Sequence, residues 1–136
     1  MIIQHLPWLQ VAVSAIAYFM IGAIWFNPNV FGKTWMKGHN ITASEEDKKR
    51  MPMMMLMTLL CCFVSAICLA YFIQATYVTG WMMGAKIGLI AGCGFSGVAI
   101  AMTHMYTKKS MAMIFIDASY HVAGLAAGGA ILAGWH

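Results

Sequence analysis

Asp117 is the only carboxylate within any long apolar run of this chain, and His121 follows it one helical turn later. Both lie in MAMIFIDASYHVAGLAAGGAILAGW, Met111 to Trp135, with Tyr120 between them. Residues four apart share a helix face. A carboxylate and an imidazole placed so can relay a proton or ion, bind a ligand, or clamp a neighbouring helix through hydrogen bonds. The run is 25 residues long, enough to cross about 30 Å of hydrocarbon. Ionisable groups at that depth are costly and must face other helices or water. At about 100° per residue, Asp117, His121, Gly124 and Gly128 fall within roughly 60° of one another. The polar pair therefore points where close packing is possible, not toward lipid.

Depth screens the partners. The chain turns at Lys108–Lys109, which puts His104 level with about Met113. Asp117 is then about 6 Å deeper, a gap that side chains bridge, so a His104–Asp117 contact is expected. His121 is about 12 Å deeper than His104, which argues against one haem held by both. Lys86 lies near the opposite face and is a poor partner for Asp117. No cofactor and no metal site is expected. The methionines of MPMMMLM, Met51–Met57, are mostly consecutive and read as adaptable apolar filler rather than a copper site. Cys61, Cys62, Cys68 and Cys93 all lie in apolar runs and read as buried thiols. No hydrolase, zinc-protease, P-loop or dinucleotide motif occurs, so the chain reads as a non-enzyme.

The elements that must position these residues follow from composition. Hydrophobic residues make up 62% of the chain and charged residues 9%, against about a quarter charged in soluble domains. This is an all-α integral membrane protein, with residues 1–136 as one four-helix domain. The spans are expected at about 6–26, 51–73, 81–106 and 111–135. The net charge of +4 comes with seven of the eight Lys and Arg in two connections: Lys33, Lys37, Lys48, Lys49 and Arg50, then Lys108 and Lys109. That placement reflects membrane topology rather than nucleic-acid binding. The positive-inside rule puts both connections in the cytoplasm and both termini outside. The uncharged start, MIIQHLPWLQ, reads as a retained helix rather than a signal peptide.

The first connection is more organised than a linker. Trp25, Phe26, Phe31 and Trp35 interleave with Lys33 and Lys37, which suits the headgroup layer. Thr42-Ala43-Ser44-Glu45 matches a capping box, with Glu45, Glu46 and Asp47 at a helix start. Pro52 then either kinks that helix or starts the second span afresh. The stretch Gly22-Ala-Ile-Trp25-Phe26-Asn-Pro28-Asn-Val-Phe31-Gly32-Lys33-Thr-Trp35-Met36, with the acidic helix start and Tyr120-His121, resembles a bacterial family, domain of unknown function 1761. The resemblance covers nearly the whole chain. It implies a small four-helix inner-membrane protein and supplies no catalytic residues.

Gly80, Gly84, Gly88 and Gly92 recur every four residues, and Gly124 and Gly128 repeat the spacing. Such small-xxx-small faces let helix backbones approach closely in lipid, within one protomer or between protomers. The first functional expectation is a homo-oligomeric or accessory membrane subunit packed through these glycines. The alternative is a small transporter or channel using Asp117 and His121 as a protonatable site, within a candidate polar site that also includes His104 and Tyr120.

Overall fold

The computed structural model describes residues 5–41 and 44–135. The described chain is helical, and four of its helices are long and apolar enough to span a membrane. Helix α1 is Trp8–Trp25, α2 is Lys33–Gly38, α3 is Glu45–Ala75, α4 is Trp81–Tyr106 and α5 is Met111–Gly134. These match the expected spans, with two adjustments. The second helix starts six residues early, at Glu45. Its cap is Ser44, which accepts from the Asp47 backbone N–H while the Asp47 carboxylate accepts from the Ser44 N–H. The capping box therefore runs Ser44–Asp47, not Thr42–Glu45. Thr42 itself lies outside the described residues. Pro52 neither breaks the helix nor restarts it, because α3 continues through it. The carbonyl of Lys48, which loses its partner, lies in an exposed turn with Lys49 and Arg50, where water can serve it.

Helix α5 is the centre. It packs on α1 and α3 along one face and on α4 along another, while α3 meets α4 only marginally. The core is a seam of small and aromatic residues: Val11, Ala15 and Tyr18 from α1, Cys62, Ala66, Leu69 and Ala70 from α3, and Tyr120, Leu125, Leu132 and Ala133 from α5.

The glycine ladder is used inside this single chain. A Cβ on Gly84 would strike the Gly129 carbonyl, one on Gly88 the backbone of Leu125 and Ala126, and one on Gly92 the Val122 backbone. Gly124 and Gly128 serve the other face. Gly124 leaves room for the Tyr18 ring, and Gly128 lies against Leu69 and Ser14. Gly80 differs from the packing role expected of it. It precedes α4 with φ of +88° and open space around it, and its N–H donates to the Ala133 carbonyl at 3.0 Å. It is a turn residue, in a backbone region that glycine occupies without strain.

Two π-type stretches shape the end of the bundle that carries most of the lysines. The first, Pro28–Gly32, follows α1. The Asn27 carbonyl accepts from the N–H groups of Val30 and Gly32, and its side chain accepts from Asn29 N–H. A Cβ on Gly32 would run into the Phe26 and Asn27 carbonyls, so the turn needs glycine there. It folds α2 back against the start of α5, where Gly38 meets Met113. The second, Gly92–Gly97, interrupts α4. In an unbroken α-helix, the twelve residues from Gly92 to His104 would turn His104 about 120° from the glycine face. One extra residue absorbed in a π-bulge cuts that to about 20°. The bulge thus lets one helix present glycines and His104 to the same neighbour.

Candidate functional site

Asp117 is seven residues into α5 from its Ser110 cap, about 10 Å along the helix. Its carboxylate is the meeting point of three other segments. The Trp35 indole Nε1–H, from α2, donates to Oδ1 at 2.7 Å. His104 Nε2, from α4, lies 2.6 Å from Oδ2. His39 Nε2, just past the end of α2, lies 3.2 Å from the same oxygen. The side chains of His39, His104 and Asp117 are 17%, 13% and 14% exposed, so the centre is enclosed but reachable. Aromatic rings frame it. Trp35 packs on His39 at 4.8 Å and on Phe26 at 5.3 Å between centroids, and His39 and His104 stand nearly perpendicular at 5.6 Å. The Trp25 indole donates to the Ile116 carbonyl at 3.1 Å, pinning the end of α1 beside Asp117.

Burying a carboxylate without partners is prohibitive. Here both oxygens are satisfied, by groups whose positions depend on the folded-back α2 and on the α4 bulge. His104 Nδ1 is buried and without a partner among the described residues. Its ring is therefore oriented from the Nε2 side alone.

The expected His104–Asp117 contact is present. His121 does not join it. Its Nδ1 hydrogen-bonds the Tyr18 hydroxyl of α1. The Tyr120 hydroxyl donates to the Tyr18 carbonyl at 3.3 Å, and its ring packs on Tyr18, Phe26 and His121. Gly22 leaves space for that ring. Deeper still, the Ser14 hydroxyl donates to the Gly128 carbonyl at 3.3 Å. The polar face of α5 thus holds two separate groups, an Asp117 centre toward the lysine-rich end and a tyrosine–His121 group below it. Lys86 is exposed and remote from both.

Of the residues assigned to the headgroup layer, Phe31 and Lys33 are exposed, and Phe31 packs on Trp25 at 5.3 Å. Trp35 instead turns inward to the carboxylate. Trp35 and His39 are the members that the sequence reading missed. The available signal was their spacing of four on a short helix, which puts indole and imidazole on one face. The convergence of His39, His104 and Asp117 also revises the expectation that nothing here suits a metal. One ligand atom from each lies within 4.8 Å of the others.

The chain belongs to the family described as protein of unknown function (DUF1761), whose model matches residues 9–133. No curated protein and no solved structure matches it. The residues that carry the family resemblance include Trp25, Gly32 and Trp35, which build the centre, and Gly22, which makes room for Tyr120.

Proposed function

We propose that this is a non-enzymatic, multi-pass protein of the bacterial cytoplasmic membrane that binds a cation at Asp117 and serves as a small cation transporter. One observation carries this reading. A single carboxylate at membrane depth draws its partners from α2, α4 and the segment after α2, while remaining partly exposed. Ionisable groups at membrane depth are costly and are a recurrent mark of ion pathways and proton relays. The tyrosine–His121 group and Ser14 continue the polar face inward from the centre. By the positive-inside rule the lysine-rich end faces the cytoplasm and both termini face outward.

Purified protein in vesicles should take up cations, protons included, in an Asp117-dependent manner. Asp117→Asn should abolish uptake while the protein stays folded. Uptake equal in wild type and Asp117→Asn would refute the reading.

A second reading, assembly into a homo-oligomer or accessory subunit, rests on α4. Its glycine face is occupied by α5, but its other faces present Met82, Met83, Ile90, Phe95 and Met102 outward. Cross-linking in native membranes from cysteines on that outward face tests it.

A further inference from the structure

We infer that His39, His104 and Asp117 form a binding site for a first-row divalent transition-metal ion such as Zn²⁺. This deepens the cation-binding reading and rests on it. The two imidazoles both direct Nε2 at one oxygen, Oδ2 of Asp117, at 3.2 and 2.6 Å. Two nitrogens and one oxygen therefore surround a common point, and their mutual separations all lie within 4.8 Å. A tetrahedral ion with bonds of about 2.0–2.1 Å needs its ligand atoms about 3.4 Å apart. Small side-chain rotations reach that spacing: His104 backs away from the carboxylate as the ion takes the place of the shared hydrogen bonds.

The donor set selects the ion class. Two imidazoles with one carboxylate suit zinc, iron, nickel or copper, whereas calcium and magnesium prefer oxygen ligands throughout. Trp35 holds Oδ1 at 2.7 Å and so fixes the carboxylate, leaving Oδ2 free to ligate. Three protein ligands leave at least one position open, as in sites that exchange what they bind. His104 Nδ1 finds no acceptor among the described residues, and a missing outer partner typically weakens metal affinity about 10–100-fold. Both features describe a site that loads and releases its ion rather than a permanent structural one. The ligands come from α4, α5 and the segment after α2, so loading ties the folded-back connection to both helices.

The test uses the full chain, stripped with chelator, in detergent or nanodiscs. Co²⁺ should bind one per chain, with the visible bands of nitrogen–oxygen ligation. Zn²⁺ should displace it, and millimolar Mg²⁺ or Ca²⁺ should not. His39→Ala leaves the α4–α5 packing untouched and should weaken binding at least tenfold. Asp117→Asn should abolish the spectrum, and His5→Ala, outside the site, should change nothing. Stoichiometric binding unaffected by His39→Ala and Asp117→Asn would overturn the assignment, as would no Co²⁺ or Zn²⁺ binding at millimolar concentration. Where Asp117→Asn fails to fold, His39→Ala decides alone. Asp117-dependent uptake of protons or monovalent ions without Zn²⁺ binding would remove the metal site and leave the transporter reading. Site-specific Zn²⁺ binding without any uptake would do the reverse.

Discussion

Asp117 gathers its partners through different chemistries, and substitutions separate them. Asparagine keeps one acceptor for the Trp35 indole, and its amide can donate to histidines in the other tautomer. Asp117→Asn should therefore retain the fold, with thermal unfolding in detergent close to wild type. Leucine leaves the indole N–H without an acceptor, and each buried group so orphaned costs about 1–3 kcal/mol. A clearly lower melting temperature for Asp117→Leu is expected, and equal melting of the two variants would show that the carboxylate bears no structural load. Trp35→Phe should show part of the same loss, because it removes the donor to Oδ1 but keeps most of the ring packed on Phe26 and His39. At this scale the sequence was half legible. Asp117 and His104 stood out because ionisable residues in apolar runs are rare and because depth along a hairpin can be counted. His39 and Trp35 did not, since only the turn at Pro28–Gly32 brings them under the bundle, and nothing in their own spacing announces that turn.

The helices themselves were legible to within a few residues, because twenty or more apolar residues between charged or turn segments leave little choice in lipid. Their rotational phase was not. Counting at 100° per residue assumes an unbroken helix, and the Gly92–Gly97 bulge in α4 violates that assumption just where His104 is set. Deleting Gly94, whose Cβ position faces open space, should let α4 run as a regular helix and keep His104 within about 20° of the glycine face, because eleven regular residues turn as far as twelve with one absorbed in the bulge. A further His104→Ala change should then cost about 1–3 kcal/mol, as it should in the wild type. Melting curves of the single and double variants check this. The ladder makes a simpler prediction. A methyl at Gly88 would press on the Leu125 and Ala126 backbone, which cannot yield. Gly88→Ala should cost about 1–3 kcal/mol or more, and Gly94→Ala should be nearly neutral in the same assay.

For the whole molecule, the first and third connections lie at one end, joined through Gly38–Met113 and the Asp117 centre. The opposite end is tied by Gln74 Nε2 donating to the His5 carbonyl at 3.1 Å and by Gly80 to Ala133. Single cysteines at Ser44 and Thr79, in a cysteine-free background, should label from opposite sides of the membrane, Ser44 from the cytoplasm. Labelling of both by an impermeant reagent from outside would reject the orientation. The mean hydropathy and charge pattern made the membrane character plain, while the central position of α5 was invisible, since every span looks much alike in composition.

That central position has a consequence for how the protein is made. Helices α1 and α3 can pair as soon as both have left the ribosome, but α4 has almost nothing to hold until α5 follows it. In a two-stage view of membrane folding, spans insert first and associate afterwards. During synthesis α4 therefore waits in the bilayer as a solitary helix with its glycine face bare to lipid. The last span then enters carrying Asp117 to a neighbourhood where Trp35, His39 and His104 have already been delivered. The costliest residue to insert arrives after the groups that compensate it, and the closing step of biogenesis is also the step that completes the site.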